Sequence, residues 1–454
     1  MKFDTLNLDK KTIQNLSNLG FKDMTPIQEQ SLPIILKKRD VIAKAKTGSG
    51  KTISFGLGVL NNLDTTLFDI QALLLCPTRE LASQVANSLR DIFRHIPNIK
   101  ILTLCGGVPY KPQVNSLYHK AHIVVGTPGR VFKHLENNNF DTSNINSLVL
   151  DEADRMLDMG FFDDIMQIIE LLPKKRHTML FSATYLNSIE SLAKNITKDA
   201  IFIEVESTHT TSSIEQKFYD TLNISKDSLI PKLFNNDIKS VLIFCNTKIQ
   251  CDELADNLED QYSLEPLVLH SNLEQKDRDE TLILFANKSY PILICTDLAA
   301  RGLDIDDVDM VINYELPNDL ENYTHRIGRT ARAGKKGVSV SFIDNISIFE
   351  DLKEYLNMAL KLNNISDLDK NSLYSIKTSY STLYINGGKR HKLRAGDILG
   401  ALTAGLGLDK NDIGKIDILP TCSYVAINNS VYEKAFKWLN SNKMKNRFFN
   451  IYKR

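Results

Sequence analysis

The sequence holds no apolar run long enough to cross a bilayer. Stretches such as "ISFGLGVL" (Ile53–Leu60) fall far short of the roughly 20 residues a spanning helix needs. The N-terminal "MKFDTLNLDK" carries acidic residues and no apolar segment, so it does not read as a secretion signal. CxxC pairs and zinc-type Cys/His spacings are also missing. The six cysteines, Cys76, Cys105, Cys245, Cys251, Cys295 and Cys422, are scattered, most of them inside apolar strand-like runs. Buried reduced thiols are expected. Net charge is absent too, with 55 Lys+Arg against 55 Asp+Glu. These absences predict a soluble, cytoplasmic protein. With 454 residues, 43% of them hydrophobic, the chain is long enough for several globular domains with substantial cores.

The zero sum hides an asymmetry. Residues 371–454 hold 14 Lys+Arg and 5 Asp+Glu, so this tail is +9 and the remainder −9. One end is suited to a polyanion. Its densest part is "GGKRHKLRAGD" (Gly387–Asp397), where four basic residues and a histidine follow a Gly-Gly pair.

Short runs rich in Val, Ile and Leu alternate with helix-like stretches: "ALLLCPT", "AHIVVGTP", "SLVLDEAD" and "TMLFSAT", then "VLIFCNT", "PILICTD" and "MVINYEL". Such alternation predicts parallel sheets covered on both faces, with ligands at the carboxyl ends of the strands. The Ser/Thr-rich "ESTHTTSSIEQ" (Glu206–Gln216) reads as a hinge between two α/β lobes, and "NNISDLDKNSLYS" as a second break. Beyond it the pattern suggests strand, helix, strand, strand, helix, strand, a small α+β sandwich.

"AKTGSGKT" (Ala45–Thr52) follows the strand-like "DVIA" and precedes an apolar helix-like stretch, the context a phosphate-binding loop needs. Gly48 and Gly50 let backbone N–H groups wrap phosphates. Lys51 would reach the β- and γ-phosphates, and the Thr52 hydroxyl would ligate Mg²⁺. Ala45 stands where the general pattern has its first glycine. Downstream, "SLVLDEAD" delivers Asp151 and Glu152 at a strand end, where one carboxylate can hold Mg²⁺ and the other orient and deprotonate a water. Asp154 is the candidate interlobe contact. Alone, "DEAD" would more often be a solvated turn; the phosphate loop upstream reverses those odds. In the second lobe "HRIGRTARAG" (His325–Gly334) spaces Arg326, Arg329 and Arg332 so that a helix would present them on one side. An arginine brought to the γ-phosphate is worth roughly 10³–10⁵ in rate. The bland alternative is a solvated basic helix face.

Over residues 3 to 345, in order, these motifs resemble the DEAD-box RNA helicases of superfamily two. Beside the phosphate loop stand "GFKDMTPIQ" (Gly20–Gln28), "PTRELA" (Pro77–Ala82), Gly106-Gly107, "TPGR" (Thr127–Arg130), "DEAD", "SAT" (Ser182–Thr184) and "TDLAARGLD" (Thr296–Asp304). The resemblance implies ATP and Mg²⁺ as cofactors and two RecA-like parallel-sheet domains in tandem. It places ATP contacts at Phe21, Gln28, Ala45, Lys46, Thr47, Gly48, Ser49, Gly50, Lys51, Thr52 and Asp304, with Mg²⁺ at Thr52 and Asp151. It implies catalysis by Lys51, Asp151, Glu152 and the finger residues Arg329 and Arg332. Thr78, Arg79, Gly107, Thr127, Gly129, Arg130, Thr247, Arg278, Thr296 and Arg301 would face the RNA backbone, which carries no base identity. Asp154, Ser182, Thr184 and His325 would couple the lobes. The sequence departs from the commonest family pattern at Met24, where proline is usual, and at Ala331, where glycine is usual.

From about Tyr380 the chain resembles the RNA-binding domain of the DbpA subfamily, a divergent RRM, chiefly through "GGKRHKLRAGDILGAL". The usual pair of sheet aromatics is absent, since "LYINGG" offers Tyr384 and "CSYVAINN" Tyr424. The expected RNA surface is therefore Lys389, Arg390, Lys392 and Arg394 at a strand-to-helix turn. The subfamily implies a 23S rRNA hairpin near the peptidyl-transferase region, pre-50S particles as partners and a role in large-subunit assembly. The expected division is residues 1–206 and 213–365 for the two helicase domains, 366–379 for a linker and 380–454 for the RRM-like domain, in a monomer. A DNA translocase and a non-catalytic RNA chaperone are the rival readings.

Overall fold

The computed structural model describes the chain except for Lys46, Thr47, Leu186, Asn236 and residues 206–213, 301–304, 306–307, 332–335, 369–375 and 377. It forms two compact units. The first carries one sheet, and the second carries two.

The first sheet is built from β1 (Val41–Lys44), β2 (Ala72–Leu75), β3 (Ile101–Leu104), β4 (Ile123–Gly126), β5 (Ser147–Leu150), β6 (His177–Ser182) and β7 (Ile201–Glu204). All pairings are parallel, in the order β3-β4-β2-β5-β6-β1-β7. Alternate residues feed two cores. Val41, Ala43, Leu74, Val125 and Phe181 pack into one, while Ile42, Leu73, Leu75, Val124 and Leu148 pack into the other. Burial on both faces explains why these strands read as unbroken apolar runs.

The order of the strands decides where chemistry gathers. β5, β6 and β1 lie side by side, so the segments leaving their carboxyl ends, the DEAD, SAT and phosphate-loop residues, are neighbours. The segments leaving β3, β4 and β2 carry Gly106-Gly107, Thr127 and Thr78, along the other half of the same sheet end.

The second unit repeats the plan with β8 (Ile214–Asp220), β9 (Val241–Cys245), β10 (Leu267–Leu269), β11 (Ile292–Thr296), β12 (Met310–Asn313), β13 (Gly337–Ile343) and β14 (Leu362–Asn363), in the parallel order β10-β11-β9-β12-β13-β8-β14. Its third sheet is antiparallel: β15 (Tyr380–Ile385), β16 (Ile413–Ile418), β17 (Ser423–Asn428) and β18 (Ile451–Lys453), ordered β16-β17-β15-β18. The fold is thus two RecA-like parallel-sheet domains and a small α+β domain.

Period-two alternation gives this small sheet two different faces. Leu383, Ile385, Val425 and Ile427 point into a core closed by Ile398, Leu402, Ala435 and Leu439 from two helices. Thr382 and Tyr424 point the other way and are also buried, because the helix Gln275–Ala286 and the turn after it cover them. Ile283 packs with Tyr424 and Cys422, Asn287 Nδ2 donates to Thr382 Oγ1 at 2.7 Å, and Glu280 pairs with Arg454.

Candidate nucleotide and RNA site

Gln28 organises the entrance to the phosphate loop. It is the N3 residue of a helix, Pro26–Ile35, that begins at Thr25, and its Oε1 accepts from Thr25 N at 2.9 Å. Its Nε2 donates to Gly50 O at 3.0 Å, and Thr25 Oγ1 donates to Ser49 O at 2.7 Å. The amide therefore grips the loop and retains one N–H and one lone pair for an adenine edge. Gly50 takes φ 93, a conformation that L side chains rarely adopt, and a Cβ there would also displace the Gln28 amide, 2.4 Å away at Nε2. Phe21 is exposed at 41%, and Phe3 is buried in the core. Met24, in the usual proline position, is buried.

Lys51 and Thr52 open the helix Lys51–Asn62 that follows the loop. Ala45, Gly48, Ser49 and Gly50 are placed around it; Lys46 and Thr47 lie outside the described residues. Lys51 Nζ approaches Asp151 Oδ1 to 3.9 Å, both side chains being buried. Among the described residues neither atom has a hydrogen-bond partner, and the same holds for Ser49 Oγ and Thr184 Oγ1. Buried polar atoms are seldom left so, and these four sit where three strand ends converge. An orphan ammonium and hydroxyl suit phosphate oxygens, and an orphan carboxylate suits a cation. Burial raises the Asp151 pKa to about 6 against the pull of Lys51, with Glu152 adding to the rise.

Glu152 is buried in left-handed geometry, φ 53 and ψ 53, an uncommon conformation for a residue with a side chain. Arg155 Nη1 donates to its Oε2 at 2.7 Å. Asp154 has partners inside its own lobe: Oδ2 accepts from Ala183 N and Thr184 N, both at 3.0 Å, which ties DEAD to SAT. Ala45 N donates to Ser182 O at 2.8 Å, joining SAT to the phosphate loop.

The RNA candidates share a local design. Thr78 and Thr247 cap helices Arg79–Ile92 and Lys248–Tyr262, accepting from Leu81 N and Gln250 N at 3.2 Å, and Thr127 precedes Pro128–Glu136. Each stands where a strand's carboxyl end leads into a helix N-terminus, a position that favours anions. Gly107 takes φ 70. A Cβ on Gly129 would press Asp164 Oδ2 at 3.1 Å. Arg130 donates to Val108 O and lies 5.6 Å from the Tyr110 ring centroid. Arg278 donates to His270 O, and Thr296 ends β11. Arg301, Asp304 and Arg332 lie outside the described residues.

The arginine ladder requires a correction. The helix Leu320–Ile327 ends before Arg329, so no single helix face presents all three side chains. Arg326 points into its own lobe and is 1% exposed. It donates twice to Asp297 at 2.7 Å and also to Asn313, Asn246 and the Glu315 carbonyl. That bidentate, five-bond clamp fixes strand ends of the second sheet. Helical spacing alone could not separate Arg326 from Arg329, which is buried in the turn beyond, while His325 is half-buried on the helix.

In the small domain Lys389, Arg390, Lys392 and Arg394 are all exposed. Lys392 takes φ 59 at the end of a short turn, and Asp397 accepts from Arg394 N at 2.9 Å to start the helix Ala395–Gly400. The strand-like stretches of the sequence offer two sheet aromatics, Tyr384 and Tyr424. Register adds a third, for Tyr384 pairs with both Tyr424 and Tyr452.

Comparison with known proteins shows the family. Residues 25–192 match the DEAD/DEAH box helicase family, 225–334 the helicase conserved C-terminal domain and 382–453 the DbpA RNA binding domain. The chain is 46% identical over 452 residues to the ATP-dependent RNA helicase DbpA of Escherichia coli (strain K12), covering 98% of each chain. It is 35% identical over 476 residues to that of Bacillus subtilis (strain 168), covering 99% of each. Among solved structures it resembles S. cerevisiae Dbp5 bound to RNA and ADP BeF3, with TM-score 0.73, 30% identity and coverage of 81% of this chain and 96% of that one. No described helix is long and apolar enough to cross a membrane. The chain belongs to the DEAD-box ATP-dependent RNA helicases with a DbpA-type RNA-binding domain, and so to the RNA-stimulated ATPases.

Proposed function

We propose that this ATP-dependent helicase locally unwinds or remodels 23S rRNA during assembly of the large ribosomal subunit in the cytoplasm. Its C-terminal domain would anchor, as part of a monomer, on a hairpin near the peptidyl-transferase region of pre-50S particles. The observation that carries this reading is the arrangement of the small domain. Its turn of exposed basic residues, Lys389 to Arg394, projects from a domain docked on the second helicase sheet's unit. The helicase motifs contact backbone, which carries no base identity, so target choice falls to this domain. The chain aligns with the DbpA relatives over nearly their full length.

In this reading Gln28 and Phe21 take the adenine, and the loop Ala45 to Thr52 takes the phosphates with Lys51. Mg²⁺, held by Thr52 and Asp151, neutralises phosphate charge when bound. Glu152 orients and deprotonates the attacking water. Arg329 and Arg332 supply finger charge, and Asp304 meets the ribose. Ser182, Thr184 and His325 link hydrolysis to RNA. Thr78, Arg79, Gly107, Thr127, Gly129, Arg130, Thr247, Arg278, Thr296 and Arg301 hold the RNA backbone.

The test is ATPase stimulation by 23S rRNA against unrelated RNA and DNA of equal length, for the full chain and for a chain ending near residue 375. Preference for 23S rRNA that disappears on truncation, with basal ATPase retained, is the expected result. Equal stimulation by every RNA, or preference that survives truncation, would refute the targeting.

A further inference from the structure

Phosphate contacts hold an RNA without reading its loops, so an anchor that selects one structure needs a group that meets a base. The RRM-like sheet is the obvious place, with Tyr384, Tyr424 and Tyr452 in one row. Two of the three are engaged: Tyr424 is 1% exposed against Ile283, and Tyr384 is half-buried with its ring against both Tyr424 and Tyr452. Tyr452, on the edge strand β18, is 47% exposed with its ring against Tyr384.

The most exposed aromatic side chain of this domain lies elsewhere, at Phe448, 62% exposed. It follows a tight hairpin in which Met444 and Arg447 exchange backbone hydrogen bonds at 2.9 and 3.0 Å. The two central residues, Lys445 and Asn446, take φ 53 and 62, as the mirror-image two-residue turn demands. Met444 and Phe449 on either side are buried, so the hairpin is pinned at both ends.

The glycine pair explains where this hairpin sits. A Cβ on Gly387 would lie 2.3 Å from the Phe449 ring, and one on Gly388 would lie 2.2 Å from Leu419 O. Glycine at 387 lets the Phe449 ring beside the hairpin lie against the strand end, and glycine at 388 lets the turn Lys389–Arg394 lie against Leu419 and Cys422. Lys445 Nζ then donates across the join to Lys392 O at 2.7 Å and pairs with Asp397. The hairpin and the turn are thereby joined, with Lys389, Arg390 and Lys392 exposed on the turn and Arg447 and Phe448 exposed on the hairpin side, Lys443 Nζ lying 5.4 Å from the Phe448 ring centroid.

We propose that Phe448 is a base-stacking platform on which an unpaired base of the anchored RNA lies, while the surrounding cations hold the flanking phosphates. This rests on the reading that the domain anchors RNA, and it names the side chain that meets a base. Stacking on an exposed ring tolerates any base, so Phe448 recognises a splayed loop or bulge rather than a sequence. Held on a hairpin buried at both ends, the ring needs little ordering when RNA arrives.

The test measures binding of full-length protein to a transcript of the peptidyl-transferase region of 23S rRNA across a salt series, with 2-aminopurine placed in its loops. Phe448→Ala is expected to weaken binding by roughly 5- to 150-fold, the span of stacking one base. The salt slope should not change, and quenching at one loop position should be lost. Phe448→Tyr should bind within about twofold of wild type, whereas Lys389, Arg390 and Lys392 changed together to Ala should flatten the salt slope by roughly two to three charges. Wild-type affinity for Phe448→Ala with quenching retained would overturn the platform. Flattening by the triple change would still leave the anchoring surface standing. A wild-type protein that fails to prefer this transcript over unrelated RNA defeats the anchoring instead. Sedimentation with anionic phosphatidylserine vesicles that depends on Phe448 would replace RNA with lipid.

Discussion

The Tyr110 ring stacks on the His134 imidazole, 4.4 Å between centroids and 12° between planes. His134 Nε2 meets Gln113 Oε1 and its Nδ1 meets Asn139 Nδ2, each at 3.2 Å. Those partners fit one neutral tautomer, Nε2–H donating and Nδ1 accepting. A second proton would set Nδ1–H against the Asn139 amide donor. Gln113 also donates to Cys105 O, next to Gly106, and the Tyr110 face carries Arg130 and Lys133. The cluster thus supports two of the candidate RNA contacts, Gly107 and Arg130.

Burial, with the nearby charges of Arg130 and Lys133, lowers the His134 pKa from 6.5 to about 4. Between these values the unfolded chain takes a proton that the folded chain refuses. Stability from this group is complete above pH 6.5 and is lost as pH falls towards 4. Thermal melts of wild type should therefore steepen in their pH dependence over this window. His134→Gln should flatten that dependence, and superimposable profiles would remove His134 as its source.

The Gln28 amide donates to Gly50 O, so Gln28→Glu would set a carboxylate oxygen against that carbonyl. It would also lose the N–H left for an adenine. Leaving such groups unpaired costs about 1–3 kcal/mol, so ATP binding should weaken by roughly 5- to 150-fold. Titration with a fluorescent ATP analogue reads this directly, and unchanged affinity would exclude Gln28 from the nucleotide site.

Glu152 is held by Arg155 in a strained backbone position beside Asp151. Glu152→Gln keeps the shape and an acceptor for Arg155 but cannot take a proton. Turnover should fall by about 10²–10⁴ with ATP affinity preserved, the signature of a lost general base. Stopped-flow binding beside steady-state ATPase separates the two. Unchanged turnover would reassign the water to another group.

Much of this was legible in sequence because strands buried on both faces leave unbroken apolar runs, and the motifs sit at their carboxyl ends. What was hidden depends on register and depth. Arg326 and Arg329 carry the same charge one turn apart, and only packing shows that Arg326 is consumed by Asp297. Tyr452 joined the sheet aromatics through pairing with Tyr384, a contact across 68 residues that no local pattern announces. Gly387 and Gly388 serve close approach of Phe449 and Leu419, partners that lie more than thirty residues along the chain.

Ala331 takes φ 58 and is buried, which accounts for glycine as the usual residue there. A left-handed alanine costs roughly 1–2 kcal/mol. Ala331→Gly gives back part of that through the freer unfolded chain, so a gain of about 0.5–1 kcal/mol is expected in chemical denaturation of the second unit. A loss of stability would mean that the methyl group packs better than the backbone is strained.

Thr382 Oγ1 receives Asn287 Nδ2 at 2.7 Å and lies 2.6 Å from Ser289 Oγ, and all three residues are buried between the small sheet and the second helicase sheet's unit. Valine matches threonine in shape but leaves both partners without an oxygen, at about 1–3 kcal/mol for each buried group. Thr382→Val should therefore loosen the docking without unfolding either body. Hydrogen exchange should quicken in the helix Gln275–Ala286 and along β15, and remain slow in β17 and in the first sheet. If exchange at Gln275–Ala286 is unchanged, the apolar contact of Ile283 with Tyr424 holds the domain in place, and Ile283→Ala becomes the substitution that releases it.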